Sequence, residues 1–185
     1  MKLIKYGKVF STQLLAKKIK NPRTWLVLLA KEQVAGYGRK GAVWFSPKGG
    51  LYFSIILPKS KIEDLQTLTI LAAFIVAKVV KENFNLEPLI KLPNDIFVNG
   101  KKIAGILTEN VVGPGAPTEG GSGGYPDVKL SVMGIGLNTN IEKFPKDLEN
   151  IATSLKIELG KKVNNEKILK EIIKGLKEQL KTISE

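Results

Sequence analysis

The dipeptide Asn99-Gly100 sits between the apolar runs Ile96-Phe97-Val98 and Lys101–Val112. A two-residue link of this kind closes as a type I′ turn, because both turn residues must take positive φ and Asn and Gly do so at the least steric cost. The flanking runs are thereby committed to an antiparallel pair. Val128–Leu137 (VKLSVMGIGL) reads as the antiparallel continuation of that pair.

Other elements follow from pattern. Leu3–Phe10 reads as a first strand, and Ser11-Thr12 as the cap of a short helix over Gln13–Lys20. Trp25–Ala30 (WLVLLA) is a continuous apolar run of the sort found in central strands, and Leu51–Leu57 is another, bounded by Pro58. A long helix is predicted over Lys61–Asn83, a short strand over Leu89–Leu92, and helices over Asp147–Ile157 and Asn164–Ser184. In the last of these Ile168, Leu169, Ile172, Ile173, Leu176 and Leu180 form one apolar stripe. Gly113–Gly124 (GPGAPTEGGSGG) has linker composition and is assigned no chemistry. The fold class is α+β: a mixed, largely antiparallel sheet with helices packed on one face.

Composition narrows the chemistry. The 185 residues suit one main domain with a real core, and they include no cysteine and no histidine. That excludes thiol nucleophiles, imidazole or thiolate zinc sites, Ser-His-Asp triads and imidazole acid–base catalysis. Lys, Arg, carboxylates, hydroxyls, amides and backbone remain, an inventory best suited to stabilising negative charge with cations. A net charge of +12 favours anionic partners: nucleic acid, phosphorylated ligands or an acidic protein. The apolar run Leu68–Ala77 is far shorter than a membrane span, and Met1–Lys5 lacks a signal-peptide segment, so a cytoplasmic protein without membrane contact is the reading.

Gly36–Gly50 (GYGRKGAVWFSPKGG) holds five glycines beside Arg39, Lys40, Trp44 and Lys48, with no helix or strand period. Glycines let backbone N–H groups approach a polyanion, an arginine offers a planar fork to phosphate oxygens, and an indole offers a flat face to a base. The stretch reads as a loop that holds a nucleotide. Lys102 stands beside small Ala104 and Gly105 on a strand apolar on both faces, and a covered lysine needs an anion. The bland alternatives are that Lys101 and Lys102 are both solvated, that Trp44 only anchors the next strand, that Ser11-Thr12 only cap a helix, and that Asn94-Asp95 only shape a turn after Pro93.

Ser11-Thr12-Gln13, Lys31–Gly50, Lys91–Glu109 and Gly134–Asn138 together resemble the biotin–protein ligases in motif, order and spacing. KEQVAGYGRKGAVWFSPKGGLYFS is similar to that family's adenylate-binding loop, KLPNDIFVNGKKIAGILTE to its second signature, and FSTQ and VMGIGLNTN to the flanking motifs. The resemblance implies the α+β fold shared with class II aminoacyl-tRNA synthetases. It also implies synthesis of biotinyl-5′-AMP from biotin and ATP, then transfer to a lysine of a biotin carboxyl carrier protein. Lys102, Arg39 and Asp95 would be catalytic. Ser11, Thr12, Gln33, Gly36, Tyr37, Arg39, Lys102 and Gly105 would meet biotin; Arg39, Lys40, Trp44, Asn94, Lys102 and Asn138 would meet ATP. Mg²⁺ would arrive through the phosphates, with Glu109 the carboxylate that assists it.

The chain departs from the family's pattern at Leu92, where tryptophan is usual, at Tyr37 and Ala42, where basic residues are frequent, and at Gln13, where asparagine is more usual. Residues 1–185 read as one catalytic domain, with no N-terminal helix-turn-helix and no C-terminal SH3-like barrel, so repressor activity and specific DNA binding are not expected. A homodimer is allowed. The competing readings are a lipoate–protein ligase of the same fold, a basic nucleic-acid-binding module, and a catalytically dead biotin binder.

Overall fold

The computed structural model describes residues 2–19, 25–57, 64–112 and 128–184; the low-complexity insert predicted at 113–124 lies outside them. Seven strands form one sheet in the order β1-β2-β3-β7-β6-β5-β4. These are β1 (Lys2–Val9), β2 (Leu26–Gln33), β3 (Leu51–Leu57), β4 (Leu89–Lys91), β5 (Asp95–Val98), β6 (Lys101–Val112) and β7 (Val128–Leu137). β1 and β2 run parallel at one edge, and every other pairing is antiparallel. β3 is buried along its whole length, as its unbroken apolar run requires. The β5–β6 turn has Asn99 at φ 50 and Gly100 at φ 78, the two positive values that the Asn-Gly pair predicts.

Two 20-residue helices, α2 (Leu65–Phe84) and α4 (Asn165–Ser184), cover one face of the sheet. The α4 stripe from Ile168 to Leu180 joins that core as its spacing predicts. Gly175 gives α4 its close approach to α2, since a Cβ there would stand 2.9 Å from Ile75 Cγ2. Not every helix shares that face as expected: the short α1 (Thr12–Lys18) lies on the opposite one, where Ala16 packs with Leu26, Leu28, Ile56 and Val132.

One predicted helix is corrected. Residues 146–151 form turns, and the helix there is only the single short α3, Leu155–Leu159. The reason is a competing partner: Lys102 N donates to Ile151 O at 2.8 Å and Thr153 N to Lys102 O at 2.9 Å, drawing this segment beside β6 as an extended bridge. Ser154 then caps α3 through Ile157 N, and Gly160 ends it at φ 68. Likewise α2 begins after Asp64, whose carboxylate accepts from Gln66 N and Thr67 N; its predicted start at Lys61 lies outside the described residues.

Strand alternation decides what the α1 face carries. Register pairs Gly105 with Gly136 and Leu107 with Gly134 across β6 and β7, and Ser54 with Gly134 across β3 and β7. The face beside α1 is thus floored by glycine and serine, and a depression results.

Candidate active site

The depression is a cleft of about 330 Å³. The glycine-rich loop leaves β2 and crosses it, pinned by Gln33 N to Ser46 O at 3.0 Å and Trp44 N to Gly36 O at 2.9 Å. Its tip, Gly38 N to Ala42 O at 2.8 Å, encloses a short 3-10 turn over Arg39–Gly41 in which Lys40 holds φ 55. Trp44 returns from the tip and lays its indole on the glycine floor. A Cβ on Gly136 would come within 2.4 Å of Trp44 Nε1, and one on Gly105 within 3.0 Å of its Cζ3. The indole Nε1 is buried without a hydrogen-bond partner. A buried donor left unpaired costs stability unless something later accepts from it.

Arg39 and Lys102 reach the same cleft from opposite supports, a loop and a strand. Lys102 Nζ pairs with Asp95 Oδ1 at 2.7 Å and lies 5.2 Å from the centre of the Trp44 ring. Asn94 Nδ2 donates to Asp95 Oδ1 at 2.8 Å, and Arg39 Nη1 donates to Asn94 Oδ1 at 3.2 Å. Guanidinium and ammonium are therefore linked through Asn94-Asp95, and all four residues line the one cleft. The anion that a covered Lys102 requires is Asp95.

The inner end of the cleft is polar and tightly bonded. Thr12 donates to Gln33 Oε1 from its backbone N at 2.8 Å and from its hydroxyl at 3.1 Å. Gln33 Nε2 donates to Ser46 Oγ at 3.0 Å. Ser54 Oγ, fully buried, stands 2.9 Å from Thr12 Oγ1 and 3.0 Å from Gln13 Oε1. Ser11 Oγ caps α1 by accepting from Leu14 N at 3.4 Å, so its capping role is real, and the residue also lines the cleft.

Glu109 is engaged on both oxygens. Lys17 Nζ lies 2.5 Å from Oε1; Tyr37 OH and Gln13 Nε2 each donate to Oε2 at 3.0 Å. Burial pulls the Lys17 ammonium down, but the bonds and charges of Glu109 and Tyr37 outweigh it and leave the pKa raised. Burial, reinforced by the Glu109 charge, raises the Tyr37 phenol against the opposing pull of Lys17. The described residues contain no group of three or more acidic side chains that could hold a metal ion.

Of the predicted residues, Ser11, Thr12, Gln33, Tyr37, Arg39, Lys40, Trp44, Asn94, Asp95, Lys102 and Gly105 all line this one cleft. Gly36 and Asn138 are not among its lining residues. Gly36 lies behind the loop, where a Cβ would meet Ser46 Oγ at 2.5 Å. Asn138 turns inward and donates to Thr153 O at 3.0 Å, while its Oδ1 is buried with no partner. Glu109, expected to assist a metal, ties Lys17, Tyr37 and Gln13 together. Ser54 and Lys17 were not predicted: one lies inside an apolar strand run, the other among many lysines.

Fold and cleft together define an α+β protein with a polar cleft on the α1 face of its sheet. Residues 6–123 match the biotin/lipoate A/B protein ligase family, and the chain belongs to that family. It is 36% identical over 178 residues to the bifunctional ligase/repressor BirA of Bacillus subtilis, covering 92% of this chain and 51% of that protein. It is 34% identical over 116 residues to the biotin–[acetyl-CoA-carboxylase] ligase of Paracoccus denitrificans, covering 60% and 43%. The chain spans about half the length of the curated relatives it matches. Among solved structures, the biotin protein ligase from Aquifex aeolicus in complex with biotin and ATP superimposes with a TM-score of 0.84 at 30% identity, covering 99% of this chain and 72% of that one.

Proposed function

We propose that this chain catalyses ATP-dependent biotinylation: biotin and ATP give biotinyl-5′-AMP and pyrophosphate, and biotin then passes to a lysine of a carrier protein. The observation that carries the reading is the meeting of Arg39 and Lys102 across one cleft, bridged by Asn94-Asp95. In the first step a biotin carboxylate oxygen attacks the α-phosphorus, and the bond to the pyrophosphate oxygen breaks. The nucleophile is already ionised, so no general base is required, and the barrier is dominated by repulsion between two anions. Lys102 sits between carboxylate and α-phosphate, and Arg39 neutralises the phosphate from the loop.

Entry of the carboxylate draws Lys102 away from Asp95. The released Asp95 is then the group placed to accept a proton as the carrier lysine amine attacks the biotinyl carbonyl and AMP leaves. The Thr12, Gln33 and Ser46 cluster offers both donors and acceptors, which suits a ureido ring better than a purely apolar chain. Trp44 swings to the adenine, with Lys40 and Asn94 near the phosphates. Gly105 allows backbone to approach biotin and Tyr37 walls the pocket, while Gly36 and Asn138, outside the lining, support the loop and the end of β7 from behind. Magnesium belongs to this reading as part of the MgATP substrate. The carrier is a biotin carboxyl carrier protein or domain, the setting is cytoplasmic, and a homodimer is compatible with it. Among the described residues no helix is long and apolar enough to cross a membrane.

ATP–pyrophosphate exchange tests the proposal, with biotin and lipoate offered separately. Exchange that depends on biotin supports it. Exchange with lipoate alone assigns the sister activity, and exchange with neither overturns adenylation altogether.

A further inference from the structure

Between Gly36 and Val43 the loop is held to the rest of the protein by few side chains. Among the described residues, Arg39 bonds Asn94 at an exposed position, and Tyr37 bonds Glu109. Tyr37 also bridges Val43 across the loop, so fixing Tyr37 fixes both limbs. Its hydroxyl is a neutral donor and cannot balance the charge of a carboxylate that is only about a quarter exposed. Lys17 does so from α1, with side-chain exposures of 27% for Lys17 and 26% for Glu109. Its ammonium also stands 5.8 Å from the centre of the Tyr37 ring, close enough to attract the phenol face. Glu109 binds Gln13 as well, and Gln13 belongs to the polar inner end of the cleft. One carboxylate thus joins the helix, the loop and the inner network.

We infer that Lys17, acting through Glu109, is a positioning residue that holds Tyr37 and the loop beneath it in place before any ligand arrives. Lys17 lies outside the cleft lining, so it acts only through its neighbours. The consequence is prior organisation: a loop already shaped lowers the ordering cost that the first ligand would otherwise meet. What the loop does once shaped rests on the proposed ligase activity, but its order in the free protein does not.

The test compares ligand-free wild type, Lys17→Met and Lys17→Arg by amide hydrogen exchange. Met keeps the apolar stem and removes the charge; Arg keeps the charge and can pair with the carboxylate. A hydrogen-bonded ion pair of this partial exposure predicts exchange about tenfold faster over residues 36–46 in Lys17→Met. Lys17→Arg should remain near wild type, and the β6–β7 amides should be unchanged in both. Calorimetry with biotin should show up to the same tenfold loss of affinity in Lys17→Met, restored in Lys17→Arg. Unchanged loop exchange in Lys17→Met overturns the inference. So does acceleration spread evenly over the sheet, which marks general destabilisation, or a Lys17→Arg protein as loose as Lys17→Met. The exchange result stands even if biotin proves not to bind.

Discussion

Replacing Gly136 by alanine tests whether the bare floor of the sheet is what seats Trp44. The new methyl would lie 2.4 Å from Trp44 Nε1 and 2.6 Å from Cε2, against an ordinary contact of about 3.5 Å. The indole must therefore rise by about 1 Å. The backbone of β7 is locked between β3 and β6, so the indole and its loop are the parts that yield. Forcing one extra carbon into packed surroundings costs about 1–3 kcal/mol, which in a domain of this size is about 2–12 °C in thermal midpoint. Gly105→Ala should cost less, because its methyl would approach the ring only to 3.0 Å. Gly7→Ala is the control: nothing lies within 4 Å, and its effect should stay within about 0.5 kcal/mol. The assay is thermal unfolding combined with the indole N–H resonances, the Trp44 peak being identified by its loss in Trp44→Phe. The order Gly136, then Gly105, then Gly7 should hold in both readouts. A Gly136→Ala protein with an unmoved Trp44 resonance and wild-type stability would refute the floor argument.

Lys102→Met should lower the rate of adenylate formation by about 10²–10³, the scale for losing one preorganised charge-stabilising donor; single-turnover kinetics checks this, and near-normal rates remove Lys102 from the mechanism. Arg39→Gly should still allow synthesis but let the adenylate escape, read as biotinylation of bystander lysines. Ser54→Ala leaves Thr12 and Gln13 short of a buried partner and should cost about 1–3 kcal/mol in urea unfolding. The Lys17 ammonium, which Lys17→Met removes, has a pKa raised above its ordinary 10.5. A raised folded-state value adds stability that is complete below the unfolded value and lost as pH rises through the folded one. The stability gap between wild type and Lys17→Met should therefore be constant from neutral pH to about 10 and close above it. Denaturant titrations across that range measure the gap, and a gap that widens above pH 10 contradicts the assignment.

Much of this site is readable from local sequence because its parts are local devices. Asn99-Gly100 sets the β5–β6 pairing next to the turn, Val98 with Lys101 and Phe97 with Lys102, before a register shift at Ile96-Phe97 that no turn rule announces. Gly134, Gly136 and Gly105 mark a face where side chains are missing, which alternation converts into a depression. Ser11 announces a helix start through one hydroxyl. What stays hidden depends on partners distant in the chain. Tyr37 and Glu109 are 72 residues apart, and Gln13 and Glu109 are 96; no period links them. The helix predicted over Asp147–Ile157 fails for the same reason. Its residues have adequate helical pattern, but the open backbone of Lys102 offers Ile151 and Thr153 stronger partners. Asn138 faces inward because Thr153 O lies there, a carbonyl brought in by that same bridge.

The β6–β7 ribbon has reach as well as chemistry. Gly105 and Gly136 mark its cleft end, while Val112 and Val128 are paired at the other. Seven residue steps along β6 separate Gly105 from Val112, roughly 23 Å at the usual rise. A dye, affinity handle or surface tether attached at the Val112 end would therefore ride well clear of the cleft floor. The protein could be immobilised or observed by that stem while the cleft at the opposite end stays unobstructed.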